Sequence, residues 1–174
     1  MKESILIILL FLVSFIFFFM NKNNVIYAKS NIDNLDYLVR NDSNKQEAAN
    51  LLSVIIARLF VIKDFLYNNM NEYPKYNKYI KRLYKNLNRN RTKIYETEKN
   101  SQYTSYSVNK GEELVFCLRS KEDDSFHDIN LLMYVALHEI SHIACPEIGH
   151  TPLFKKIFRF FTKVAIKIKI YKYD

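Results

Sequence analysis

Residues 137–142 read Leu-His-Glu-Ile-Ser-His and contain the pattern His-Glu-x-x-His, in a segment whose apolar periodicity predicts a helix. The four-residue spacing places His138 and His142 on one face of that helix, about one turn apart. Two imidazoles in this arrangement can bind one Zn²⁺ ion, and Glu139 beside them can take a proton from a water molecule that the metal activates. The segment therefore predicts the centre of a catalytic zinc site.

A catalytic zinc site needs a third protein ligand, and His150 is the candidate. Pro146 should end the motif helix, and Gly149 permits a sharp turn just before His150. Residues 151–152 are Thr-Pro, which are typical of the N-cap and first residue of a new helix. We therefore expect His150 at a turn between two helices, from which it can fold back toward the first two histidines.

Cys145 is the alternative ligand, because it follows His142 by three residues. A thiolate in addition to three histidines would close the site and leave no open position for water. We therefore interpret Cys145 as a structural residue.

The motif resembles the active-site segment of the WLM and SprT-like (Spartan-type) zinc metallopeptidases. In those families the His-Glu-x-x-His helix is followed by a short spacer and a third histidine, which opens a helix that carries an aromatic residue; here these are His150 and Phe154. Residues 109–119 also resemble the hairpin before that helix in metallopeptidases of large DNA viruses. The resemblance covers roughly residues 90–174. It implies a zincin-like α+β domain, in which helices surround a small antiparallel sheet. Cys145 stands where metzincins have a glycine, which argues against that group.

Three segments before the motif have the character of strands. Residues 92–97 and 103–108 alternate weakly, and residues 109–111 form a turn that leads into a third alternating run. They predict an antiparallel sheet of about three strands. The resemblance implies that one edge of this sheet holds the substrate in extended form beside the zinc, by strand addition. We assign that edge to Leu114, Val115, Phe116, Cys117 and Leu118.

Apolar residues at spacings of three and four predict three further helices, at residues 46–69, at residues 75–88 and from Pro152 onward. Asp128 is expected to cap the motif helix. Lys and Arg line the outer faces of the last two of these three helices, where they could contact nucleic acid or a membrane. Such a face is more often simply solvated.

Residues 5–20 hold no charge and one polar residue, Ser14. At about 1.5 Å per residue this run spans about 24 Å, slightly short of a hydrocarbon core of about 30 Å. We interpret residues 1–27 as a single-pass membrane anchor, and a signal peptide cleaved after Ala28 is the alternative. The distribution of Lys and Arg around the run weakly favours a cytoplasmic catalytic domain. The resemblance to metallopeptidases of large DNA viruses implies a virion or host-cell membrane.

The remaining chain divides into a linker and one domain. Residues 28–45 are polar and aperiodic and are interpreted as the linker, and residues 46–174 as the metallopeptidase domain. Two cysteines are too few for a disulfide scaffold. The net charge of +8 is compatible with an acidic partner such as nucleic acid. We expect a monomer.

The function predicted from these features is a membrane-anchored zinc endopeptidase that acts on a protein or peptide. His138, His142 and His150 would bind Zn²⁺, and Glu139 would act as the general base. Candidates for the donor that stabilises the oxyanion are Tyr134 and Tyr171. The alternative is a membrane-anchored basic binding or scaffold protein with a structural or vestigial zinc site. Structural zinc sites usually have four ligands, mostly cysteines, which argues against the alternative.

Overall fold

The computed structural model describes Leu12 and residues 24–173. From Asn24 onward the strands are β1 (Val25–Lys29), β2 (Asp36–Arg40), β3 (Lys93–Glu96), β4 (Tyr106–Val108) and β5 (Glu113–Phe116). The α-helices in the same part of the chain are α1 (Lys45–Asn68), α2 (Asn77–Asn86), α3 (Ile129–Ala144) and α4 (Pro152–Lys167). Two short 3-10 turns, Met70–Glu72 and Pro74–Tyr76, connect α1 to α2.

The five strands form one mixed sheet in the order β1-β2-β3-β5-β4. The two outer pairs, β1 with β2 and β4 with β5, are antiparallel, whereas β3 is parallel to both of its neighbours. The α+β class is confirmed, but the expectation of a purely antiparallel sheet is wrong. The reason is the connection from β2 to β3, which runs through α1 and α2. Such a long crossover returns the chain to the same end of the sheet and makes the two strands parallel.

The segment predicted to be a linker, residues 28–45, instead carries strand β2 and the end of β1. These strands pair from Val25↔Arg40 to Lys29↔Asp36. Tyr37 and Val39 point into the core, because they alternate with more exposed residues along β2. The hairpin is therefore part of the folded domain, and a domain boundary at residue 46 would cut through the sheet.

The predicted single-pass membrane localisation is contradicted. Among the described residues, no helix combines the length and the apolar character needed to cross a bilayer. Helix α1 is long enough, but its charged residues exclude it; they include Lys45, Glu47, Arg58, Lys63 and Asp64. The anchor predicted at residues 5–20 lies outside the described residues except for Leu12.

The helices lie close to their predicted positions. Helix α1 is the centre of the core, and its fully buried residues recur at three and four, as in Leu52, Ile55, Leu59 and Ile62. Helix α2 starts later than predicted, because the residues from Pro74 to Tyr76 form a separate 3-10 turn. Helix α3 packs against α1, α2 and α4, so the motif helix is held on several sides.

A buried cluster of charged residues connects three neighbouring segments of the sheet. The Arg119 Nε donates a hydrogen bond of 2.6 Å to Glu96 Oε1, and the main-chain N–H of Arg40 donates one of 2.8 Å to Glu96 Oε2. All three residues are buried, so the two arginines depend on nearby carboxylates for compensation. Besides Glu96, these are Asp124, 3.2 Å from Arg40, and Asp42, 3.8 Å from Arg119. The cluster joins β2, β3 and the chain that follows β5.

Candidate metal centre

Three imidazole nitrogens converge at one point of the surface. The Nε2 atoms lie 3.1 Å apart in His138 and His142, 3.3 Å in His142 and His150, and 3.0 Å in His150 and His138. Ligand nitrogens around a tetrahedral zinc ion, with Zn–N distances of about 2.0–2.1 Å, lie about 3.3–3.4 Å from one another. The three donor atoms therefore have close to the spacing that one zinc ion requires. Within the described chain, these three histidines form the cluster that could bind a metal ion.

Helix α3 and the spacer after it position the three histidines. His138 and His142 lie on successive turns of α3, whose N-terminus is capped as predicted by Asp128, which accepts a hydrogen bond from the main-chain N–H of Asn130. His150 follows Gly149, which has a φ of 79° and so uses the left-handed region that favours glycine.

The helix after the third histidine also starts as predicted. The Thr151 hydroxyl accepts a hydrogen bond from the main-chain N–H of Phe154, and Pro152 occupies the first helical turn. The start of α4 therefore fixes the direction in which the chain leaves His150.

Phe154 forms an apolar backing for all three imidazoles. Its ring centroid lies 4.1 Å from that of His142, 4.9 Å from His138 and 5.0 Å from His150. The Phe154 side chain is only 2% exposed, so it is held by the core while it contacts the three rings. This packing restricts the orientation of the rings independently of any metal.

Glu139 lies beside the histidines, buried against β4, with 4% of its surface exposed. Burial raises the pKa of its carboxyl to about 7, and a hydrogen bond from the Ser107 hydroxyl acts in the opposite direction. A carboxyl with a pKa near neutrality can both accept and return a proton at neutral pH. This arrangement suits a general base.

The two histidines of α3 are biased toward the neutral form. Burial lowers the pKa of His138, and the neighbouring His150 adds to the effect. Burial lowers the pKa of His142 to about 4, with further contributions from His138, His150 and Lys110. Neutral imidazole is the form that binds a metal ion.

The histidines and Glu139 open into a cleft of about 540 Å³. The cleft is also lined by β4 with the turn that follows it, and by the spacer that contains Ile148. Ile148 is 89% exposed, although it is a large apolar residue. The cleft therefore combines the three candidate metal ligands, a buried carboxyl and an accessible apolar side chain.

The predicted substrate edge needs correction. Leu114, Val115 and Phe116 lie in β5, which pairs with β3 on one side and β4 on the other, and Cys117 and Leu118 follow it. Both sides of the β5 backbone are thus used within the sheet. In the described part of the sheet the edge strand beside the histidines is β4, which has only β5 as a neighbour. The sequence signal for β4 was weak because it has three residues and Ser107 at its centre.

The alternative ligand Cys145 and the two tyrosines considered as oxyanion donors lie outside the cluster of three histidines. Cys145 caps the end of α3 and is fully buried. Tyr134 packs against Phe158 and Tyr171, with centroid distances of 5.1 and 5.9 Å, and the Phe158 ring lies 5.3 Å from that of His138. Both tyrosines are thus on the Phe158 side of the site, whereas the cleft is lined by other residues.

Two residues of the site were not found from the sequence. They are Ser107, which contacts Glu139, and Lys110, whose ammonium reaches the end of α3. The only signal for Lys110 was its place in the Asn-Lys-Gly turn at residues 109–111.

The fold is similar to that of a solved protein. The crystal structure of Wss1 from Saccharomyces cerevisiae matches with a TM-score of 0.52 and 20% identity, over 76% of this chain and 88% of that chain. A Wss1 mutant matches with a TM-score of 0.51 and 18% identity. At this level of identity the likeness shows the fold, which is the WLM-like fold that the motif resemblance implied.

Sequence relatives are viral proteins. No known protein-family profile matches the chain. The uncharacterized protein 136R of Invertebrate iridescent virus 6 is 36% identical over 69 residues, or 38% of each chain. The uncharacterized protein R325 of Acanthamoeba polyphaga mimivirus is 44% identical over 168 residues, which cover 95% of this chain and 84% of that protein. With this identity over most of both sequences, the chain belongs to the same family as the mimivirus protein.

Proposed function

We propose that this protein is a zinc-dependent endopeptidase. The observation that carries the proposal is the convergence of three histidine Nε2 atoms, 3.0–3.3 Å apart, in the same cleft as the buried carboxyl of Glu139. The fold shared with Wss1, a zinc metallopeptidase, supports the same class of reaction.

The donor set fits a catalytic rather than a structural zinc. Catalytic sites have three protein ligands and an open position, whereas structural sites usually have four, mostly cysteines. Here three histidines face an open cleft, and neither cysteine of the chain joins them. The alternative of a binding protein with a structural zinc site is therefore less well supported.

Bound by the three histidines, zinc would supply a Lewis acid that acidifies a water molecule and polarises a substrate carbonyl. Glu139 accepts the proton of the attacking water and returns a proton to the leaving amine. Ser107 orients the Glu139 carboxyl through its hydrogen bond, and burial against β4 keeps bulk water away from it.

The edge of β4 is the proposed binding site for the substrate backbone. An extended segment can add to this strand through main-chain hydrogen bonds, which select conformation rather than side-chain identity. Ser107 lies in β4 and contacts Glu139, so a peptide paired with this strand would pass beside the general base. The substrate class is therefore an unfolded or flexible protein segment.

The test compares full-length wild type with Glu139→Gln, and uses Glu122→Gln as the control because Glu122 is an exposed loop residue. Zinc content is measured by mass spectrometry of the metal, and activity by cleavage of a denatured, fluorescently labelled protein. We expect Glu139→Gln to keep its zinc and to lose at least about 10²-fold in rate. The control should match wild type. Wild-type protein that carries no zinc, or unchanged cleavage by Glu139→Gln, would reject the proposal.

A further inference from the structure

Lys110 connects the turn between β4 and β5 to the end of the motif helix. Its ammonium donates hydrogen bonds to three main-chain oxygens, those of His142 at 3.1 Å, Cys145 at 3.0 Å and Glu147 at 2.9 Å. An ammonium has three N–H donors, so all of them are used. The acceptors belong to the last turn of α3 and to the spacer that leads to His150.

The turn that carries Lys110 is firmly placed. Asn109 and Lys110 have φ values of 45° and 55°, in the left-handed region that residues other than glycine rarely use. Gly111 approaches the neighbouring helices so closely that a Cβ atom would lie 3.1 Å from the main-chain oxygen of Asn86 and 3.1 Å from the Ile143 side chain. The Lys110 side chain therefore extends from a turn that packs closely against α2 and α3.

The main-chain oxygens at the C-terminal end of α3 need hydrogen-bond donors from outside the helix. The last carbonyl groups of an α-helix have no partner within the helix. Lys110 satisfies those of His142 and Cys145, and the Arg82 Nε donates to the oxygen of Ile143 at 3.3 Å. Cations at this end also interact favourably with the helix dipole. Two basic side chains from other elements thus complete the C-terminus of α3.

The spacer after α3 has little else to hold it. Residues 146–150 are all exposed, and a Cβ atom on Gly149 would meet nothing within 4 Å. Two hydrogen bonds of Glu147 hold the spacer. The main-chain oxygen of Glu147 accepts one from Lys110, and its carboxylate accepts the other from the hydroxyl of Thr151. The backbone of the spacer is therefore held by these few hydrogen bonds, whereas the ring of His150 at its end also packs on Phe154.

We propose that Lys110 is a positioning residue for the third metal ligand. By joining the end of α3 to the spacer, it holds His150 at the distance from His138 and His142 at which three nitrogens can share one ion. Lys110 also follows β4 by two residues, so it fixes the proposed substrate edge relative to the metal ligands. This inference rests on the zinc site of the proposed function.

The test is a double-mutant cycle on the full-length protein, with zinc affinity measured by competition against a fluorescent chelator. Lys110→Met is made in wild type and in His150→Ala. We expect Lys110→Met to weaken zinc binding by about 10-fold or more in wild type, because groups that orient metal ligands have effects of this size. In the His150→Ala background the loss should be below about threefold, since the ligand that Lys110 positions is absent. Lys155→Met, which removes an exposed lysine from α4, should stay within about twofold of wild type.

A second variant covers the case in which Lys110→Met does not fold, as judged by circular dichroism. Lys110→Arg keeps the charge, but a planar guanidinium cannot direct its donors at three converging oxygens as an ammonium does. It should weaken zinc binding by about threefold or more, and again only when His150 is present.

Two results would overturn the inference: equal losses in both backgrounds, which would show a general effect on the fold, or no loss from either Lys110 variant. If wild type binds no zinc, the proposed function fails together with this inference. If wild type binds zinc and the Lys110 variants match it, only the role of Lys110 is rejected.

Discussion

The ring of Phe154 stacks on the imidazole of His142, with 4.1 Å between the centroids and 24° between the planes. The same ring contacts His138 and His150 edge-on. One buried apolar side chain thus supports all three candidate ligands. The ligand geometry is therefore built into the packing between α3 and α4, before any metal binds.

Replacing Phe154 with leucine should distinguish its effect on zinc affinity from its effect on the free energy of unfolding. Phe154→Leu removes the flat ring but keeps an apolar side chain, and it should cost about 1–2 kcal/mol of stability. Zinc affinity should fall by about 10-fold or more, because the imidazoles lose their common backing. Phe161→Leu is the control, since Phe161 is fully buried in the same helix but has no ring contact with a histidine among the aromatic pairs of the described residues. Equal zinc affinity of the two variants would contradict the role of Phe154.

The ligand set can be tested by comparing His150 with Cys145. His150→Ala should weaken zinc binding strongly, because it leaves two protein ligands. Cys145→Ala should leave the zinc stoichiometry unchanged, since Cys145 is a buried cap residue outside the ligand set. Equilibrium dialysis with zinc measures both. A loss of zinc in the Cys145 variant together with retention in the His150 variant would reverse the assignment.

Ile148 is expected to contact the substrate rather than the metal. It lines the same cleft as β4 and is 89% exposed, so an apolar side chain of a bound peptide could cover it. Ile148→Ser should raise KM by about threefold to 10-fold, which corresponds to roughly one CH₂ group or more of lost apolar burial. Zinc content and kcat should change little. Leu131→Ser, at an exposed position of α3, is the matched control. An unchanged KM for the Ile148 variant would place the substrate elsewhere.

The N-terminal hairpin is expected to be essential for folding. A fragment of residues 46–174 lacks β1 and β2, so the apolar face of α1 would no longer be packed against Tyr37 and Val39. Arg40 of the buried cluster of charged residues would also be absent. We expect this fragment to lose cooperative thermal unfolding in circular dichroism, whereas residues 24–174, which keep all five strands, should retain it. A fragment 46–174 that unfolds cooperatively near the wild-type temperature would show that the hairpin is dispensable.

The Glu96 carboxylate should be a major determinant of stability. Glu96→Gln removes the nearer carboxylate of the buried Arg119 guanidinium, which donates to Glu96 at 2.6 Å and lies 3.8 Å from the more exposed Asp42. Breaking a buried pair in this way typically costs about 3–5 kcal/mol. Urea denaturation measures the change, and the exposed Glu98→Gln should stay within about 0.5 kcal/mol of wild type. A similarly small effect at Glu96 would mean that Asp124 and Asp42 are enough to compensate the two arginines.

Local features of the site were determined by the sequence itself. The spacing of His138 and His142, the cap at Asp128 and the helix start at Thr151 depend on contacts between residues a few positions apart. Such interactions can be read directly from residue order, because helical geometry is regular. That His150 can lie next to His138 and His142 was accessible for the same reason, since the chain between Pro146 and His150 is short.

Tertiary structure alone decided the features that connect distant parts of the chain. The long crossover through α1 and α2 made the centre of the sheet parallel, and the insertion of β5 between β3 and β4 moved the free edge from residues 114–118 to β4. Lys110 reaches the end of α3 across more than 30 positions in the sequence, and Arg40 meets Glu96 across 56. Alternation in a strand indicates which side chains are buried but not which strand is the neighbour. Those choices follow from packing the whole core, so no short segment of the sequence contains them.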